Sequence, residues 1–218
     1  MPTLNDKKIA LGLLIDCSSS MNVLHKQEMV DSLNGVIKEQ TQNGEVSLYL
    51  GTFSNSYKLV KDGESGENVV ISQDDIIPNG LTALLDGIKF FVNDVGSRLN
   101  DMEDRPGNVI IVILTDGEEN ASKNATRDEV SEIIKHQKEK YSWKFIFLAA
   151  NQDAIMNGSS LGISSGASCD FHFSPNGMQN VLRTVSSAVT RTIIENTPDV
   201  CFEDVEREFS KCSDTPIS

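Results

Sequence analysis

Five oxygen-bearing side chains stand where short apolar runs end. The run Ile9–Ile15 leads straight into Asp16-Cys-Ser18-Ser-Ser20, so a carboxylate and two hydroxyls leave it at alternate positions. The run Val109–Leu114 ends in Thr115-Asp116-Gly117, a second carboxylate at the equivalent place. Between them, Asn79-Gly-Leu-Thr82 is a turn that puts a hydroxyl just ahead of a helical segment. Two carboxylates and three hydroxyls, with no His or Cys among them, suit a hard divalent cation. Mg²⁺ or Mn²⁺ fits best, and Ca²⁺, which takes more ligands and more carboxylates, fits less well. Neutral hydroxyl ligands leave such an ion with net positive charge, able to accept an anionic oxygen from a partner.

These residues meet only if the elements carrying them are arranged correctly. Ile9–Ile15, Val109–Leu114 and Lys144–Ala149 are nearly all apolar and rich in branched residues, as strands covered on both faces of a parallel sheet are. Val46–Phe53 alternates apolar and polar, and Tyr57–Val60 follows after Ser-Asn-Ser, so the two read as a hairpin at one sheet edge. A further strand is expected over Asp170–Phe173.

Helical spacing fills the gaps. Apolar stripes run through Met29, Leu33, Val36 and Ile37, and through Leu84, Ile88, Phe91, Val95 and Leu99. Thr126 and Glu129 form a capping box ahead of Val130, Ile133, Ile134 and Tyr141. A short helix is expected over 153–161. Ser174-Pro175 opens a last long helix with Met178, Val181, Leu182, Val185 and Val189 on one face.

The order β-α-β-β-α-β-α-β-α-β-α predicts a doubly wound, Rossmann-like α/β fold: a six-stranded, mostly parallel sheet with one antiparallel edge strand and helices on both faces. In such a sheet the first and fourth strands are neighbours, and ligands bind where the chain order reverses between them. Asp16, Ser18, Ser20, Thr82 and Asp116 would then converge from three segments. One domain over residues 1–198 is expected. The acidic tail, 199–218, follows, with Phe202, Val205 and Phe209 placed to make a short docked helix.

Asp16-x-Ser18-x-Ser20, Thr82 in a Gly-x-Thr-x-Leu setting and Asp116 in Thr-Asp-Gly resemble the metal-ion-dependent adhesion site (MIDAS) of von Willebrand factor A (vWA) domains. The resemblance spans roughly residues 8–195. It implies the fold just derived and Mg²⁺ or Mn²⁺ on Asp16, Ser18 and Ser20. It also implies that Thr82 and Asp116 bind the ion directly or through water according to state, and that a protein partner's Glu or Asp completes the coordination. The runs Thr115–Asn120, Leu85-Asp86-Gly87 and Ala149–Asp153 resemble small intracellular bacterial and phage members, and they leave Asp86, Glu118 and Asp153 either supporting a metal or serving as caps and solvated loop residues.

Composition narrows the field. With 19 Lys+Arg against 32 Asp+Glu, the net charge of -13 leaves no basic stripe for a nucleic-acid backbone. No apolar stretch approaches a membrane span. The start of the chain has no signal-peptide pattern, and the four cysteines show no CxxC or CxH spacing, so a cytoplasmic protein with reduced thiols is expected. Three Asn-x-Ser/Thr triplets, at Asn120, Asn124 and Asn157, are then chance matches.

Catalysis is the weaker alternative. Gly162-Ile-Ser164-Ser-Gly166 matches the nucleophile-elbow pattern, but Asp170 and His172 follow too closely to be its triad partners. A phosphatase with its nucleophile at Asp16 would need an acid at position 18, where serine stands. Metal-assisted hydrolysis at the same site would need a base such as Glu118 or Asp153. In a third reading the metal only staples the loops of an assembly subunit. The sequence reading favours a cation-dependent protein-binding module that is not an enzyme.

Overall fold

Branched apolar side chains leave the runs little alternative to extended backbone, and burial on both faces then holds them in place. The computed structural model describes residues 3–23, 26–150 and 153–212. The strands are β1 (Thr3–Asp16), β2 (Glu45–Phe53), β3 (Tyr57–Ser65), β4 (Asp104–Thr115), β5 (Lys144–Ala150) and β6 (Ser168–Phe171). They form one sheet in the order β3-β2-β1-β4-β5-β6, parallel except for the edge strand β3. The expected α/β architecture is the observed one, and β1 and β4 are neighbours in register from Ile9–Asn108 to Ile15–Leu114.

Among the described residues six α-helices accompany the sheet: α1 (Lys26–Gln40), α2 (Leu84–Asn100), α3 (Arg127–Tyr141), α4 (Ala154–Ser160), α5 (Pro175–Ile194) and α6 (Asp204–Lys211). Helices α1 and α5 pack together on one face, where Gln40 Nε2 donates to Ser186 O and Ser186 Oγ, each at 3.1 Å. On the other face α2 packs against α3 and the central strands. The Thr126–Glu129 capping box opens α3, and Ser174 caps α5 with proline in the first turn. None of the described helices is long and apolar enough to cross a membrane.

The structure departs from the sequence reading at several boundaries. β1 and β4 run further back than their apolar runs, pairing Thr3 with Asp104 and Leu4 with Arg105 across a register shift between Asn5 and Ile9. Asp6, Lys7 and Lys8 hide this extension because their side chains follow no apolar period. β6 lies two residues earlier than expected. Phe147 and Leu148 pair with Ser168 and Cys169, and the chain leaves the sheet in time for Ser174 to cap α5. Tyr141 is 45% exposed instead of joining the core face of α3, which it ends.

One packing detail carries a stability prediction. The Phe91 ring lies across Gly12 of β1 and Gly51 of β2, where an added Cβ would stand 3.1 Å from Phe91 Cε1 and 2.7 Å from Phe91 Cδ2 respectively. At Gly12 it would also meet Ile111 Cδ1 at 2.5 Å. Gly12→Val should therefore overpack the centre of the sheet and lower stability by about 1–3 kcal/mol. A urea midpoint equal to that of the parent chain would rule this packing out.

Residues 199–212 dock along α5 and β6. Phe202 and Ser210 are buried, Arg191 pairs with Glu206 at 2.9 Å, and Arg207 donates to the carbonyls of Ser165, Gly166 and Ser168. Val205 faces out, 77% exposed, so polar contacts seat α6 more than the apolar stripe does. Residues 213–218 of the expected tail lie outside the described residues.

Candidate functional site

At the carboxyl ends of β1 and β4 the five residues singled out in the sequence come together. Asp16 ends β1 and is fully buried. Its Oδ1 accepts from Ser18 N at 2.7 Å and its Oδ2 from Thr115 Oγ1 at 2.7 Å. The Ser18 hydroxyl adds a further hydrogen-bonding contact to the same carboxylate. From there a chain of oxygens leads outward: Ser18 Oγ lies 2.9 Å from Ser20 Oγ, and Ser20 Oγ donates to Asp116 Oδ1 at 2.9 Å. Ser18 is buried, Asp116 partly buried and Ser20 exposed, so the cluster is closed at Asp16 and open to solvent at Ser20.

Thr82 comes in from the third segment. It is buried, and its Oγ1 lies 3.1 Å from where a Cβ on Gly117 would stand, directly beside Asp116. Backbone hydrogen bonds bind the three segments to one another. Asn79 N donates to Cys17 O at 2.7 Å and Ser19 N to Gly80 O at 3.0 Å. Asn120 N donates to Thr82 O at 3.0 Å, while Thr82 N donates back to Asn120 Oδ1 at 2.9 Å.

The electrostatics favour a cation. Burial pushes the Asp16 carboxyl up to about 6 despite the hydrogen bonds from Thr115 and Ser18, and the neighbouring Asp116 adds to the rise. Burial also raises Asp116, against the hydrogen bond from Ser20. Two carboxylates held this way are costly to ionise together, and a divalent ion between them would relieve that cost. Among the described residues no group of three or more His, Cys, Asp and Glu could hold a metal ion, so a cation at this cluster would need serine and threonine oxygens as well. Such oxygens are ligands for a hard ion.

The sequence left Asp86, Glu118 and Asp153 open, and the structure places Asp153 as a helix cap and Asp86 as a loop anchor. Asp86, near the start of α2, accepts from Lys123 N, Asn124 N and Asn124 Nδ2, each at 2.9 Å. Asp153 caps α4 through Met156 N. Glu118 is exposed and lines a cavity of about 250 Å³ beside Gly117 together with Arg127.

Three contributors went unassigned in the sequence. Thr115 orients Asp16; Asn120 holds Thr82. Glu119 accepts from Leu85 N, Ala121 N, Ser122 N and Ser122 Oγ, tying the loop after β4 to α2. A polar residue shortly after a strand end is an available loop cap, but its partner 30 or more residues away leaves no local signal. Ser164, the nucleophile of the hydrolase alternative, instead precedes a short 3₁₀ turn before β6, where its backbone carbonyl accepts from Ala167 N.

No protein-family model matches the sequence, and no curated protein does. Solved structures do. The chain is similar to proximal thread matrix protein 1 from the mussel byssus with a zinc-occupied MIDAS motif, at a TM-score of 0.61 and 16% identity over 84% of this chain and 46% of that one. It is also similar to a von Willebrand factor type A protein from Catenulispora acidiphila (TM-score 0.55, 12% identity, 84% of this chain and 43% of that one). A third is VWA2, the ArnB paralog from Sulfolobus acidocaldarius (TM-score 0.52, 19% identity, 83% and 44%). The chain therefore spans less than half the length of each of these proteins. Strand order, the single antiparallel edge and these likenesses together identify the chain as a domain of von Willebrand factor A fold.

Proposed function

We propose that this domain is a divalent-cation-dependent protein-binding module. In this reading Asp16, Ser18, Ser20, Thr82 and Asp116 hold a Mg²⁺ or Mn²⁺ ion, which supplies a Lewis-acidic position for a partner's Asp or Glu carboxylate. One observation carries it: the run of oxygens from buried Asp16 through Ser18 and Ser20 to Asp116, closed at one end and open to solvent at the other.

Each residue has a distinct part. Asp16 supplies charge from inside, with Thr115 and the Ser18 amide fixing its orientation. Ser18 and Ser20 offer neutral oxygens, which leave the site net positive toward a partner. Thr82 and Asp116 stand on loops that can trade direct contact for water-mediated contact. Leu81, 56% exposed next to Thr82, offers apolar surface beside the charged contact. Because backbone bonds already hold the three loops together, the geometry supports an ion that serves binding over one that only staples the loops. The zinc-occupied MIDAS motif of the mussel protein supports a divalent ion in a fold of this kind.

The test is calorimetric titration of metal-stripped protein with Mg²⁺ and Mn²⁺, with Ser18→Ala alongside, followed by partner capture with and without EDTA. One-site binding weakened at least tenfold in Ser18→Ala, with capture that fails in EDTA, is the expected result. Absence of heat with both ions, together with capture indifferent to EDTA, would overturn the reading.

A further inference from the structure

A groove of about 950 Å³ opens at the opposite end of the sheet from Asp16, where the strands begin. The last turns of α2 and α3, the starts of β4 and β5, and residues 196–198 after α5 form its walls. About nine residues of β4 separate its Arg105 from the site at the other end, roughly 30 Å of strand. Its floor is apolar: Val92, Leu99, Val109 and Trp143 are all buried beneath it. Gly96 faces the groove, and a Cβ added there would make only ordinary van der Waals contact, with Gln137 Nε2 and Trp143 Cη2, both at 3.8 Å.

Its charge runs against that of the chain. In a sequence with 32 acidic and 19 basic residues, the described lining contains Arg105, Lys138, Lys140 and Lys144 and no Asp or Glu. The fold accounts for three of these. Lys138 and Lys140 lie in the last turn of α3, where the helix dipole favours cations, and Lys138 pairs with Asp199 at 3.0 Å. Arg105 donates to the carbonyls of Asn100 and Met102. Lys144 is different. It opens β5, is only 5% exposed, and among the described residues its Nζ donates to one neutral acceptor, Asn108 Oδ1, at 3.3 Å. Burial pulls its pKa down, with Asp199 partly opposing that. An ammonium so placed is left short of anionic partners.

We infer that this groove is a second binding site, for an anionic amphiphile: a small molecule with a flat apolar body and one carboxylate, sulfonate or phosphate. The body lies over Trp143 and Val92 between α2 and α3, and the anionic head meets Lys144. The volume falls within the roughly 300–1,000 Å³ of small-molecule sites, and an apolar floor under a polar, basic rim suits a ligand with an apolar body and an anionic head. The site is independent of the cation at Asp16.

The full chain, in EDTA, is titrated with two fluorescent probes of the same body: 8-anilinonaphthalene-1-sulfonate and the uncharged N-phenyl-1-naphthylamine. Saturable one-site binding of the sulfonate is expected. Gly96→Leu, which fills the groove and replaces a poor helix former, should weaken both probes at least tenfold. Lys144→Met should weaken the sulfonate at least tenfold and leave the uncharged probe within twofold, and Lys144→Arg should restore sulfonate binding. Sulfonate binding that is absent from the parent chain, or unchanged in Gly96→Leu, would overturn the site. Equal loss of both probes in Lys144→Met would overturn its preference for anions. Circular dichroism on each variant separates these results from unfolding.

Discussion

Asp16→Asn is expected to abolish stabilisation by Mg²⁺ while leaving the fold intact. In the parent chain, Mg²⁺ at a hundred times its Kd should add about 2.7 kcal/mol by mass action. For a domain of this size that corresponds to a rise in Tm of about 5–10 °C. The asparagine keeps the shape of Asp16 and an acceptor for the Ser18 amide, and the Thr115 hydroxyl can turn to accept from the new NH₂ group. It lacks the charge that the fully buried position would contribute to a cation. Removing that buried charge should leave the variant at least as stable as the metal-free parent, because an ionised group there lacks water. Melting curves with Mg²⁺ and with EDTA decide the matter. A variant that gains as many degrees as the parent chain would place the ion elsewhere.

The second large effect is expected at Asp86. Burial works to raise this carboxyl, but the amides of Lys123, Asn124 and Ala125 and the Asn124 side chain outweigh it and hold the pKa below its ordinary value. Glu119 behaves likewise, its burial outweighed by donors from Leu85, Ser122 and Ala121. Together the two carboxylates fasten the loop after β4 onto the first turns of α2, which carries Thr82 at its threshold. Asp86→Ala removes the acceptor for these four donors and should cost about 2–3 kcal/mol. Cation affinity should fall with it, because Thr82 and Asp116 lose their shared anchor. Asp86→Asn, which keeps one acceptor oxygen, should lose less.

The same carboxyl sets a pH dependence. A lowered carboxyl pKa means that the folded chain holds fewer protons than the unfolded one in the acid range. The stabilisation is therefore complete above the ordinary carboxylate range and fades as the pH falls through about 4 and below. Urea midpoints at pH 7 and pH 4 should draw together for Asp86→Ala relative to the parent chain. Equal midpoints for parent and variant at pH 7 would remove the anchoring role.

The elements and the composition of the candidate site are legible in the order of residues. Branched apolar runs can be satisfied only by strands covered on both faces, and these runs became β1, β4 and β5. The capping box at Thr126 and the serine-proline start at Ser174 are local hydrogen-bond arrangements, so they are written in adjacent residues. Asp16, Ser18, Ser20, Thr82 and Asp116 stand at strand or helix ends, and the order of elements was enough to bring those ends together.

Features that depend on distant pairs emerge with the folded chain. The extension of β1 and β4 through Leu4 and Arg105 is held by partners about 100 residues apart, with no apolar period to announce it. Thr115, Glu119, Asn120 and Asp86 took their roles from donors or acceptors on other segments, at separations that local spacing does not encode. The basic groove is of the same kind: Lys144, Arg105 and Lys138 belong to three elements, and an excess of acidic residues along the chain concealed their grouping. Periodicity reports which face of an element is buried, whereas a site or a groove is defined by which elements share an end.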